Sequence, residues 1–194
     1  MRRPLGRLRI IGGSFRSRLI DFDSEAGVRP TPDRVRQTVF DWLSPIIDGM
    51  TALDLFAGSG ALGLEALSRG AAHVSFVETG RHQAEAIRTA ITKLGIGERS
   101  EVVQGDAIAF LRSTVRRYNL VFIDPPYDST LLAGALAALP RVLKDDNRLY
   151  LEWPKGPPPA LPAGYTMLKE KAAGQVSYGL FTFASPGLSG DMTP

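Results

Sequence analysis

Leu53-Asp54-Leu55-Phe56-Ala57-Gly58-Ser59-Gly60-Ala61-Leu62-Gly63 is the stretch on which the fold turns. A short apolar strand, Ala52–Phe56, runs into a glycine turn, and a helix over Ala61–Arg69 follows, closed by Gly70. Glycines at such a turn let the backbone approach a ligand that a Cβ would hold off. Gly58-x-Gly60-x-x-Gly63 also fits the dinucleotide fingerprint, a weak signal alone. Asp54 counts against that ligand, because an anion just before the turn repels a pyrophosphate and attracts a sulfonium or an ammonium group.

Outward from this turn the pattern alternates. Strands are expected at His73–Glu78, Glu101–Gln104, Leu120–Asp124 and Arg148–Trp153, with helices at Arg81–Leu94, Ala107–Arg117 and Leu131–Leu143. Apolar strands alternating with helices imply an α/β fold whose parallel sheet is covered on both faces. Past the proline-rich loop Pro154–Gly164, Tyr165–Lys171 and Val176–Phe183 read as an antiparallel pair completing the sheet, and residues 185–194 as a disordered tail. Upstream, Leu8–Ile11 and Phe15–Phe22 flank Gly12-Gly13-Ser14 as a hairpin. Thr31 is expected to cap a helix that opens at Pro32, buries Val35, Val39, Trp42 and Leu43 on one face, and stops at Pro45.

Ligands in such sheets bind at the carboxyl ends of the strands. Glu78 ends the second strand of the alternating region, 20 residues after Gly58, placed to accept hydrogen bonds from ribose hydroxyls. Asp106 follows the third strand and either binds an adenine amino group or caps the helix starting at Ala107. Asp54, Phe56, Gly58, Gly60, Glu78, Asp106 and Ala107 are the candidate cofactor residues.

The fourth strand ends in Asp124-Pro125-Pro126-Tyr127. The prolines stiffen the loop and remove two N–H donors, leaving carbonyl oxygens free for a ligand. Asp124 and the Pro125 carbonyl can accept the two hydrogens of an amino group on a flat base, while Tyr127 stacks on its ring. An aromatic amine is a poor nucleophile because its lone pair is delocalised, and hydrogen bonds that favour a pyramidal nitrogen localise it. Asp124 could then take the proton after transfer. An acid before the first turn and this motif at the fourth together favour a methyl donor over a dinucleotide.

The chain has no cysteine and only two histidines, His73 and His82, which excludes disulfides and a cysteine nucleophile and leaves little for a metal site. No apolar run approaches membrane length, and the basic N-terminus lacks the apolar stretch of a secretory signal, so a cytoplasmic protein is expected. Charge is uneven. Residues 1–40 hold nine Arg against four acids, although the whole chain is only +3. Such a segment is either a solvated face or a polyanion-binding one, and charge alone leaves both open. His82 is expected to be solvated, and Trp42, Met50 and Met167 to be packing residues.

The sequence closely resembles the bacterial RsmD family. The residues that carry the resemblance are Arg9-Ile10-Ile11-Gly12-Gly13, Arg16-x-Arg18, Arg29-Pro30-Thr31-x-Asp33-Arg34-Val35-Arg36, the glycine turn Leu53–Ala66 and Asp124–Tyr127. The resemblance runs from about residue 7 to 183. It implies a Rossmann-like class I methyltransferase with a seven-stranded, mostly parallel sheet and an N-terminal β-hairpin, using S-adenosyl-L-methionine without a metal. It also implies a monomer that modifies the exocyclic N2 of one guanine in 16S rRNA, on the 30S subunit or a late assembly intermediate, beside adjacent ribosomal proteins. Residue by residue it implies Gly58, Gly60, Glu78 and Asp106 for the cofactor, Asp124 with Tyr127 for the base, and Arg16, Arg18, Arg29 and Arg34 for rRNA. Ser17, Val28 and Gln37 stand where the family pattern has Gly, Leu and Glu. The expected division is a basic hairpin extension at 1–27, a methyltransferase domain at 28–184 and the tail at 185–194. The competing readings are a nucleic-acid adenine-N6 or protein-glutamine methyltransferase and a non-catalytic RNA-binding module of ribosome assembly.

Overall fold

The computed structural model describes residues 5–24, 30–126 and 130–185. Arg29, Tyr127 and the tail from residue 186 onward, about which the sequence raises expectations, lie outside the described residues. In chain order the elements are β1 (Leu5–Arg9), β2 (Leu19–Asp23), α1 (Asp33–Leu43), β3 (Thr51–Asp54), α2 (Ala61–Ser68), β4 (His73–Glu78), α3 (Arg81–Leu94), β5 (Ser100–Gln104), α4 (Ala107–Ser113), β6 (Tyr118–Ile123), α5 (Thr130–Ala138), β7 (Leu143–Pro154), β8 (Tyr165–Ala173) and β9 (Val176–Phe183).

The strands from β3 to β9 form one seven-stranded sheet in the order β5-β4-β3-β6-β7-β9-β8. The pairs β4–β5, β3–β4, β3–β6 and β6–β7 are parallel, whereas β9 pairs antiparallel with both β7 and β8. Helices cover both faces, which is why β6 is buried along its whole length. One apolar cluster joins α1, α2, α3 and the hairpin to the sheet, and a second joins α4 and α5 to the opposite face. The chain leaves β3 toward β4 and β5, then returns to lay β6 on the other side of β3. The crevice opens at such a reversal.

The N-terminal hairpin forms, with β1 and β2 antiparallel, but its strands are shifted outward from Leu8–Ile11 and Phe15–Phe22. The reason is that α2 takes the turn's amides. Ile11 and Gly12 donate their N–H groups to the two carboxylate oxygens of Glu65, both at 2.8 Å, and Phe15 donates to Ser68 Oγ at 2.9 Å. A 3-10 turn at Gly13–Phe15 and Ser17 at φ 69° fill the gap.

Three helix expectations change. Thr31 does not cap α1: its hydroxyl donates to Glu152 Oε1 at 2.9 Å, and Pro32 occupies the cap position instead, its carbonyl accepting from Val35 and Arg36. Helix α4 stops at Ser113 rather than Arg117, where the Arg141 guanidinium takes up the carbonyls of Leu111 and Thr114. Helix α5 ends at Ala138 because Pro140 has no N–H to continue it, and a 3-10 turn over Leu139–Val142 follows.

Candidate active site

Gly58 and Gly60 adopt φ of 52° and 75°, the left-handed region that glycine enters without cost. Gly63 serves a different purpose: a Cβ there would lie 2.3 Å from the Phe76 ring, so its absence lets α2 pack onto β4. The turn is held by acids. Glu78 accepts the Gly58 N–H at 2.7 Å on one oxygen and the Gly80 N–H at 2.6 Å on the other, while Asp54 accepts the Gly63 N–H at 2.9 Å. Asp106 accepts from Ala109 at 2.8 Å, so the capping role read as an alternative is realised.

Above the tips of β3 and β6 lies a cavity of about 790 Å3. Asp54, Phe56, Gly58, Glu78, Asp106 and Ala107 line it, as do Asp124 and Pro125. The two strand tips are therefore neighbours, as a transfer between them requires, with Asp54 opposite Phe122 in the β3–β6 pairing. Gly60 is not among the lining residues; its contribution is the shape of the turn. Arg16, Arg18 and Arg34 also lie away from the cavity, exposed on the hairpin turn and on α1. Among the described residues none of these three forms an ion pair, whereas Arg7 faces Asp21 at 3.3 Å.

Two things could not be read from the sequence. First, Arg36 belongs to the basic N-terminal set but is 1% exposed. It bonds Asp33 at 2.6 Å, Glu65 at 3.5 Å and the Arg9 carbonyl at 2.9 Å, so it ties α1, α2 and the hairpin together and is not available to a nucleic acid. Its spacing to Phe40 and Leu43 was the available signal, since residues four and seven apart share a helix face. Second, Glu152 near the end of β7 lines the cavity together with Pro30, Thr31 and Pro32. Within Leu149-Tyr150-Leu151-Glu152-Trp153 it reads as an ordinary strand residue; a lone acid in a buried strand was the only hint.

Among the described residues five acids, Asp54, Glu78, Asp106, Asp124 and Glu152, line the cavity, and no Lys, Arg or His does. Burial holds the Asp54 carboxyl up to about 7; the Gly63 N–H acts against this rise and the Glu78 charge adds to it. Burial also pushes Asp124 well above the carboxylate range, helped by the charges of Glu152 and then Asp54. Glu152 is raised by burial against the lowering effect of hydrogen bonds from Tyr150 and Thr31. A cavity of this sign suits a cation and repels a pyrophosphate. A sulfonium-bearing amino acid nucleoside fits the donor and acceptor set: Asp54 for positive charge, Glu78 for ribose hydroxyls, and the open backbone at Gly105 for the base. No group of three or more potential metal ligands occurs among the described residues, and no helix among them is long and apolar enough to cross a membrane.

Comparison with known proteins agrees with this architecture. The ribosomal RNA small subunit methyltransferase D of Escherichia coli is 40% identical over 187 residues, 95% of this chain and 94% of that one. The solved structure of the Escherichia coli protein yhhF, described as a methyltransferase, superposes with a TM-score of 0.84 at 40% identity, covering 93% of this chain and all of that one. The ribosomal protein L11 methylase of Lactobacillus delbrueckii, only 13% identical, shares the fold with a TM-score of 0.66 over 84% of each chain. These neighbours make the fold that of the class I methyltransferases. A model of the family described as conserved hypothetical protein 95 matches residues 8–182, and with it and the relative of 40% identity the chain belongs to that family, the RsmD family of ribosomal RNA small subunit methyltransferase D.

Proposed function

We propose that the protein is an rRNA methyltransferase that uses S-adenosylmethionine to methylate the exocyclic N2 of a guanine in 16S rRNA, acting as a cytoplasmic monomer on the 30S subunit or a late assembly intermediate. The observation that carries this reading is Asp124, which lines the same cavity as Asp54, a cavity whose charged lining among the described residues is acidic. S-adenosylmethionine, when bound, supplies a methyl group made electrophilic by its sulfonium. The chain supplies the rest. Asp54, Phe56, Gly58, Glu78, Asp106 and Ala107 form the cofactor side of the cavity. Asp124 and the Pro125 carbonyl hold the acceptor amine, and the raised proton affinity of Asp124 equips it to take the proton that leaves the nitrogen. Tyr127 is assigned the stacking role from its motif. A paired base must leave its stack to enter such a pocket.

Arg16, Arg18 and Arg34, with Arg29 from the same motif as Arg34, are assigned to rRNA phosphates, and the hairpin is the extension that presents Arg16 and Arg18. Radiolabelled S-adenosylmethionine supplied with naked rRNA, 30S particles and DNA, followed by digestion to nucleosides, tests the reading. Label in N2-methylguanosine from 16S rRNA is expected, whereas label in N6-methyladenosine would move the assignment to adenine. Asp124→Ala should lower transfer by about 100- to 10,000-fold while RNA binding survives; transfer that persists undiminished removes Asp124 from the mechanism.

A further inference from the structure

Glu152 has a neighbour the reaction already uses. In the parallel pairing of β6 with β7, Phe122 lies opposite Tyr150 and Ile123 opposite Leu151, so Asp124 and Glu152 are the next pair along. Strand alternation returns both to the face of Phe122 and Tyr150, and both line the cavity. The Glu152 carboxylate is held on one side only. Tyr150 Oη donates to Oε1 at 2.7 Å and Thr31 Oγ1 donates to the same oxygen at 2.9 Å. Among the described residues no donor reaches Oε2. A glutamine carbonyl would satisfy both hydroxyls equally well, so the described residues account for one oxygen of Glu152 and leave the second for a ligand.

Two carboxylates side by side call for two adjacent donors. Guanine presents its 2-amino group next to N1–H, whereas adenine and cytosine each present an amino group next to a ring nitrogen bearing a lone pair. We propose that Glu152 determines base specificity: its Oε2 accepts the guanine N1–H while Asp124 holds the 2-amino group, and a lone pair at the same place is repelled. The inference rests on the guanine-N2 reading and adds to it the group that rejects adenine. Thr31 acts here as a positioning residue, fixing Oε1 so that Oε2 faces the base.

The test replaces the methylated guanine with 2-aminopurine in reconstituted 30S particles. This base keeps the 2-amino group and carries a lone pair at N1. The wild-type protein is expected to favour guanine over 2-aminopurine in kcat/KM by roughly 100-fold. In Glu152→Gln the two hydroxyls hold the amide oxygen, so the NH2 points to the base. The preference should collapse by about 100-fold or invert, with S-adenosylmethionine affinity unchanged. A variant that loses activity on both bases equally, keeping the wild-type ratio, overturns the proposal. So does a wild-type ratio near one, which is decisive even if the variant fails to fold. A wild-type protein that labels only adenine overturns the guanine reading itself, and nucleoside analysis distinguishes that result from the others.

Discussion

Asp54 is 3% exposed at the end of β3, and its carboxyl sits near 7 instead of the ordinary 3.8. The folded chain therefore holds this proton more tightly than the unfolded chain does between those two values. Stability is fullest below about pH 4 as far as this group is concerned, and falls as the pH rises to about 7. If the whole shift counts, the loss is on the order of 4 kcal/mol. Asp124 and Glu152 shift in the same direction and deepen the slope. Asp54→Asn keeps an acceptor for the Gly63 N–H and removes the titration, so the fall in melting temperature between pH 5 and pH 8 should shrink by several degrees. An identical fall in the variant would place the proton elsewhere. Asp54 was legible in the sequence because it stands just before the glycine turn, where the strand tip meets a ligand. Glu152 was not, since its role depends on a hydroxyl 121 positions away.

At the scale of elements, α2 carries more than the glycine turn. Its Glu65 is fully buried and accepts from two hairpin amides, from Arg69 at 2.8 Å and from Arg36 at 3.5 Å. Removing one partner of a buried ion pair strands the rest, and Glu65→Ala should cost about 3–5 kcal/mol in denaturant unfolding. Hydrogen exchange at Ile11 and Gly12 should accelerate with it, and slow exchange in the variant would contradict the docking. The space is equally restrictive: a Cβ at Gly13 would fall 1.8 Å from the Ser68 carbonyl oxygen. Elements with clear punctuation were readable to the residue. Helix α3, closed by Gly95 at φ 68°, and strands β4 and β9 lie where periodicity puts them. Helices α4 and α5 overran in the sequence reading because their ends depend on Arg141, which comes from another element, and on a proline followed by residues that still look helical. The hairpin's register was hidden for the same reason, its turn amides being satisfied by a distant helix.

Across the whole molecule, charge is divided. The cavity is lined by acids, while Arg16, Arg18 and Arg34 are exposed on the hairpin and α1. If those arginines meet phosphates, rRNA affinity should fall with salt, and replacing Arg16 and Arg18 with Ala should reduce the log–log slope by about 1.4 to 1.8. S-adenosylmethionine affinity should stay the same. A slope that does not move would leave the two arginines without a part in RNA binding. Alternation implied a parallel sheet but no strand order; a transfer between the tips of the first and fourth strands needs them side by side, and β3 and β6 do lie so. The attachment of the hairpin has one more implication. With Ile11, Gly12 and Phe15 hung on Glu65 and Ser68, the hairpin is no portable accessory. Grafted onto a sibling enzyme whose corresponding helix lacks that glutamate and serine, it would arrive with orphan amides and no berth, so a successful transplant must carry α2 along with it.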